Sequence, residues 1–153
     1  YPGSKLQRVW QKMEEFYDKK EVGALGISNC YDLDVLKYLF NNAKVKPSIV
    51  QNRFYAQSGY DKELRAFCKQ NNITYESFWS LTANPNILAS EVLQNLSVKY
   101  QKGVAEIFYR FLNHIDIVPL NGTTSTKHMI EDLKIGEFEL TKDEINSILN
   151  LLN

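Results

Sequence analysis

The sequence predicts an α/β fold built on a parallel sheet. Two observations carry this expectation. Hydrophobic periodicity switches repeatedly between helical and strand spacing, and four short apolar runs are separated by helix-length segments. Strands joined by crossovers of that length pair in parallel with right-handed connections, and helices must cover them. The 153 residues amount to one domain, residues 1–153, with enough chain for a single hydrophobic core.

The elements follow in order. From Ser4, "SKLQRVWQKMEEFYDKKEVG" places Leu6, Val9, Trp10, Met13, Phe16 and Tyr17 at helical spacing, with Ser4 as N-cap and Gly23 as stop. "ALGIS" is small and apolar, as a buried strand lying close to another backbone would be. "YDLDVLKYLFNNA" returns to a helical period behind a capping Asp32. "SIVQNRF" after Pro47 is the second strand, "DKELRAFCKQNN" the next helix and "ITYESF" the third strand. "SEVLQNLSVKYQ" and "VAEIFYRFLNH" are helices broken at Gly103, and "IDIVPL" is the fourth strand. "TKHMIEDL" and "TKDEINSILNLL" close the chain, the second opening on a Thr141–Glu144 capping box.

Two architectures share this pattern, a doubly wound sheet and a portion of a (β/α)₈ barrel. The first calls for a glycine-rich GxGxxG turn after a strand, and the sequence has none. A full barrel takes about 250 residues, so four βα units make about half of one.

Composition excludes several function classes. Eighteen basic and eighteen acidic residues balance, so no net field steers the chain to nucleic acid or an anionic membrane. The one basic cluster, Lys19-Lys20, closes a helix, where cations suit the dipole. Cys30 and Cys68 show no metal-ligand spacing and read as free buried thiols. With no secretory signal and no membrane-length apolar stretch, the expectation is a reducing compartment, cytoplasm or organellar matrix, not secretion. The opening Tyr1-Pro2-Gly3 lacks an initiator methionine and reads as a processed or partial chain.

Ligands of parallel α/β proteins sit beyond the carboxyl ends of the strands. Those ends carry Ser28-Asn29, Gln51-Asn52-Arg53, "FWSLTANP" and "LNGTTSTKH". Each has a plain reading as a cap or turn, but four polar ends together suggest a ligand rim. Ser, Asn and Gln can grip a carboxamide, Phe78 can stack on a planar heterocycle, and a glycine with hydroxyls before a helix suits phosphate. That equipment describes a dinucleotide. No His-Asp or Cys-His pair for nucleophilic catalysis accompanies it.

At these residues the chain resembles the aldo-keto reductase family, (β/α)₈ barrels that use NAD(P)H. "VWQKMEEFYDKKEVGALGISN" is similar to the family's tryptophan helix and G-[IV]-S-N strand, and "KVKPSIVQNRFY" to its K-P-x-x-x-Q stretch. "NNITYESFWSL" falls where the family has aromatic-Ser-Pro-Leu, "IVPL" where it has I-P-K, and "FELTKDEINSI" resembles a family helix start. The order and spacing match the C-terminal half of the barrel, in a divergent branch.

The resemblance implies that Ser28, Asn29 and Gln51 hold the nicotinamide carboxamide and that Phe78 stacks on the ring. Trp79, Ser80 and Leu81 would follow the pyrophosphate. Leu120, Asn121, Gly122, Thr123, His128, Glu131 and Asp132 would take the adenosine end. Leu120 stands where the family has lysine, and His128 is the nearest replacement for its arginine, so a 2′-phosphate lacks cations and the cofactor is NADP or NAD.

The family's catalytic Asp-Tyr-Lys-His set lies in its N-terminal half, so this chain alone is expected to be inactive. It would be the nucleotide-binding portion of a reductase. Alternatively, it would be a non-catalytic half-barrel subunit of an assembly. Open barrel edges predict a cover: the missing N-terminal half, a second polypeptide, or a copy of the chain.

Overall fold

The computed structural model describes residues 2–153, with side chains from Lys5 onward. Four parallel strands form one sheet in the order β1 (Gly26–Ser28), β2 (Ile49–Arg53), β3 (Thr74–Phe78), β4 (Ile117–Pro119). Helices occupy every connection, as the alternating periodicity implies. The residues divide into two compact units: Tyr1–Asn52 with Asp61–Glu76, and Arg53–Tyr60 with Ser77–Asn153.

The first unit is built around α1 (Pro2–Asp18), α2 (Leu33–Asn42) and α3 (Lys62–Gln70). Trp10, Leu25 and Leu39 form a buried cluster, flanked by Leu6, Met13, Ile27 and Val45. The Trp10 indole also donates to the Val45 carbonyl at 2.9 Å, while the Val45 N–H donates to Glu14 at 2.9 Å. Two side chains of one helix thus peg the segment entering β2. Asp32 caps α2 as expected, accepting from the N–H groups of Asp34 and Val35. Gly26 sits so close to β2 that a Cβ there would lie 3.1 Å from both the Cβ and the carbonyl of Ile49. This is the close backbone approach that the small residues of "ALGIS" imply.

Several expectations about the first unit are corrected. The helix α1 stops at Asp18, five residues before Gly23. Lys20 takes the left-handed conformation (φ 61°), and the N–H groups of Lys20 and Glu21 return to the carbonyls of Tyr17 and Phe16. That is a Schellman closure made without glycine. Val9, Phe16 and Tyr17 share the helical period yet are exposed, since the inward stripe is narrower than the apolar one. Ser4, expected as N-cap, has its side chain outside the described residues, and the helix backbone begins at Pro2.

The second unit packs Phe54, Ile87, Leu93, Ile107, Phe108, Phe111, Leu112 and Ile148 into its interior. Phe108 stacks on Phe111 with centroids 5.8 Å apart and meets Phe54 at 6.3 Å. Its helices are α4 (Pro85–Leu88), α5 (Glu91–Tyr100), α6 (Val104–His114), α7 (Thr126–Leu133) and α8 (Lys142–Leu149). The break at Gly103 separates α5 from α6, and Glu106 accepts the Gly103 N–H at 2.8 Å. Short α4 and the 3-10 turn Ala56–Asp61 are too brief to show a sequence period. The Thr141–Glu144 capping box forms as read. Glu144 also takes bonds from Lys99 and the Tyr100 hydroxyl, tying α8 to α5.

Candidate functional site

In the first unit, register pairs Ser28 directly with Gln51 at the carboxyl ends of adjacent parallel strands. Asn29 follows in the left-handed conformation (φ 55°), and its N–H donates to the Gln51 carbonyl at 3.0 Å. The three residues are therefore brought together. The Asn29 amide donates to Ser28 Oγ at 3.2 Å, and its Oδ1 accepts from the Tyr31 hydroxyl at 3.2 Å. Gln51 donates through Nε2 to Glu76 at 2.9 Å, which commits the nitrogen and leaves Oε1 as the acceptor. Ser28 and Asn29 are exposed and Gln51 is half-buried. A hydroxyl and two amides at this spacing can satisfy both ends of a carboxamide.

In the second unit, a cavity of about 380 Å³ is lined by Leu81, the start of α6, Tyr109, Asn121–Thr123 and the α7 residues His128, Glu131 and Asp132. That volume lies within the usual range for small-ligand sites. Asn121 donates to the Asp132 carboxylate. Burial, assisted by Asp132, raises the Tyr109 phenol to about 12. The hydroxyl-rich loop has two jobs. Ser125 caps α7 by accepting the His128 N–H, and Thr123 accepts the Ser125 N–H, so part of the polarity is plain capping. Asn121, Gly122 and Thr123 face the cavity, and a Cβ at Gly122 would meet nothing within 4 Å.

The remaining expected residues behave differently. Phe78 is half-buried at the end of β3. Trp79 is 56% exposed and adopts φ 54°, with its ring 4.4 Å from the Arg53 guanidinium. Ser80 is buried and its hydroxyl is committed to Ser77 at 2.8 Å. Leu120 is half-buried next to β4, and its N–H donates to the Ser77 carbonyl. Among the described residues, no cluster of three or more His, Cys, Asp or Glu could hold a metal.

The sequence pattern of the Aldo/keto reductase family matches residues 1–153, the whole chain. The chain belongs to that family. It is 30% identical over 149 residues to the glyoxal reductase of Bacillus subtilis, covering 97% of this chain and 53% of that protein. It is 25% identical to the NADPH-dependent alpha-keto amide reductase of Saccharomyces cerevisiae, covering 97% of this chain and 50% of that one. A solved aldo-keto reductase from a deep-sea metagenome library shares the fold, with a TM-score of 0.88 at 24% identity over 99% of this chain and 55% of that one. The silkworm (Bombyx mori) aldo-keto reductase complexed with NADPH gives a TM-score of 0.78 at 21% identity, over 92% and 46% of the two chains. The chain thus spans about half the length of the relatives it matches.

Against this reductase framework, sequence reasoning missed a buried polar network in the first unit. Asn52 is fully buried, Asp61 is 4% exposed and Tyr75 is 2% exposed. Asn52 binds the Cys30 backbone twice and also reaches Asp61, which accepts from the Tyr75 hydroxyl. Burial, with help from Asp61, pushes the Tyr75 phenol far above its ordinary range. One signal was available: alternation along β2 turns Val50 and Asn52 inward, so an amide stands where an aliphatic residue would be routine.

Proposed function

We propose that residues 1–153 supply the nicotinamide-nucleotide-binding portion of an NAD(P)H-dependent oxidoreductase and form one half-barrel domain. The observation that carries this reading is the junction of Ser28, Asn29 and Gln51 at the ends of two paired parallel strands. In this reading they hold the nicotinamide carboxamide, and Phe78 stacks on the ring. The cavity of the second unit takes the adenosine end, with Asn121, Gly122 and Thr123 at the phosphates and Glu131 and Asp132 toward the base and ribose. Trp79, Ser80 and Leu81 accompany the pyrophosphate, Ser80 by backbone, since its hydroxyl is already used. The family membership of the whole chain supports the cofactor class.

The bound nucleotide supplies the hydride. The chain's own part is to orient the carboxamide through one hydroxyl and two amides and to receive the phosphates. The proton donor, an Asp-Tyr-Lys-His set in the family, is assigned to a segment outside residues 1–153, so this chain alone turns over no substrate. Glu106, Glu131 and Asp132 line the cavity against one imidazole, His128. Lys102 and Lys127 lie 4.0 and 3.7 Å from Glu106 and Glu131. A 2′-phosphate gains little from that balance, and NADH is expected to bind at least as tightly as NADPH.

Titration of the chain with NADH and NADPH, followed by cofactor fluorescence, tests the assignment. Asn29→Gly, which takes the left-handed backbone without strain, and Gln51→Ala are expected to raise both dissociation constants about tenfold while shifting Tm little. Equal losses of affinity and stability would reduce both residues to structural parts.

A second reading, a non-catalytic subunit that buries its sheet against a partner, is favoured by Val118, which is 45% exposed in the middle of β4. The partner would be the family's N-terminal half, another polypeptide or a second copy. A monodisperse, fully folded monomer by light scattering would remove this reading. Cys30 and Cys68 are free and buried. Burial foremost raises their thiols to about 11 and about 12, so both stay protonated and unreactive at neutral pH. No helix among the described residues is long and apolar enough to cross a membrane.

A further inference from the structure

We propose that Asn52, Asp61 and Tyr75 are positioning residues for the Asn29 amide. The proposal rests on the reading of Ser28, Asn29 and Gln51 as the carboxamide holders. Asn29 is where the β1–β2 ladder runs out. Its φ of 55° belongs to a region that L-residues enter at a cost, asparagine less than most. To aim its side chain reproducibly, the backbone on both sides must be fixed. On the near side, the Asn29 N–H is held by the Gln51 carbonyl.

On the far side, Cys30 is held by a side chain. The Cys30 N–H donates to Asn52 Oδ1 at 2.9 Å, and Asn52 Nδ2 donates to the Cys30 carbonyl at 2.7 Å. Those are the two bonds that a neighbouring strand backbone would make, so one amide extends the ladder past its last pair. Consecutive residues of β2 therefore hold the turn, Gln51 through its backbone carbonyl and Asn52 through its side chain. Gln51 faces Ser28 in register, and Asn52 holds Cys30 from the buried side.

Asn52 is itself locked. Its Nδ2 also donates to Asp61 Oδ2 at 2.8 Å, which fixes which end of the amide points at each Cys30 group. The same Asp61 oxygen accepts from the Tyr75 hydroxyl at 2.7 Å. Asp61 stands at the head of α3 with φ 50°, and its side chain makes no capping bond to that helix. A carboxylate taken out of water costs several kcal/mol unless it is well bonded. Here the bonds run to Asn52 and Tyr75 rather than to the helix, with Arg65 close enough to feel the charge. The contacts lead from a buried carboxylate through Asn52 to the Cys30 backbone, one residue past the exposed Asn29 amide, which is the layout of a ligand-orienting group with its support. A network serving the core alone has no need to end on both backbone groups of the residue that follows Asn29.

The test uses the full chain and two probes, reduced nicotinamide mononucleotide and AMP, with amide hydrogen exchange at Cys30. Asn52→Leu is expected to weaken mononucleotide binding about tenfold, and Tyr75→Phe about two- to threefold, as expected for the loss of buried hydrogen bonds. Asp61→Asn, which keeps an acceptor, should retain more affinity than Asp61→Ala. AMP affinity should not change, and Cys30 exchange should accelerate in the order of the affinity losses. If Asn52→Leu does not fold, Tyr75→Phe with Asp61→Asn decides. Wild-type mononucleotide affinity in folded Asn52→Leu and Tyr75→Phe, alongside a loss in Asn29→Gly, would overturn the proposal. Should Asn29→Gly also bind normally, the carboxamide reading is what fails. In that case unchanged Cys30 exchange in Tyr75→Phe overturns the positioning link as well.

Discussion

The two units use the same polar residue types to opposite ends. In the first, Asn52, Asp61 and Tyr75 are buried and bonded to one another and to the backbone. In the second, Asn121, Glu131 and Asp132 stand around a cavity and leave it open. A carboxylate beside an asparagine is therefore no guide to its role until burial is known. Where the group has left water, its bonds are structural obligations; where it has not, they are exchangeable for a ligand's.

The largest effect should come from breaking the closed network. Asp61→Ala leaves one Asn52 amide hydrogen and the Tyr75 hydroxyl buried without their acceptor, and urea denaturation should show a loss of about 3 kcal/mol. Asp132→Ala, at the open cavity, should cost no more than about 0.5 kcal/mol. Equal losses would erase the distinction between the units.

The next contrast uses two glycines. Gly26→Val forces a side chain against Ile49 and should cost about 2 kcal/mol. Gly122→Val meets open space, so stability should hold while the nucleotide dissociation constant rises. An unchanged constant would leave the loop as plain helix capping.

A pH contrast comes third. Burial works to raise the Glu144 pKa, but bonds from Lys99, Tyr100 and the Thr141 N–H outweigh it and hold it down to about 2. Its stabilisation is full above 4.5, the ordinary value, and disappears as pH falls toward 2. In thermal melts across that range, Glu144→Gln should be less acid-sensitive than wild type. At neutral pH, Thr141→Ala should cost about 1 kcal/mol through the lost cap.

The smallest effects should be gains, one in each unit. Lys20 and Gln101 hold left-handed positions at the ends of α1 and α5. Replacing either with glycine should stabilise by about 0.5–1 kcal/mol in denaturant melts, because glycine carries no Cβ penalty there.

Much of this was legible in the sequence, for reasons that also explain the gaps. The four strands, Asp32, Gly103 and the Thr141 cap were readable because period and capping are local properties. Gly26 was readable as a close approach because small residues in a strand have few other uses. The end of α1 was not, because a lysine performs the closure usually left to glycine. Phe16 carried the right spacing for burial, but spacing cannot tell how wide the covered stripe is. At the site, Ser28 and Gln51 could be placed at strand ends, whereas their direct pairing depends on register. Asn52 follows Gln51 in the same strand, so its opposite facing depends on the strand's alternation. Asp61 and Tyr75 stayed hidden because their partners come from other elements, and local pattern carries no trace of them.

The chain holds two tryptophans, and they fall one to each unit. Trp10 is sealed in the interior, and Trp79 lies open over a guanidinium. Their emission should separate into a blue, iodide-resistant component and a red, quenchable one. The molecule thereby comes with two built-in optical reporters, one following the packing beneath β1 and the other the loop beyond β3, with no label attached.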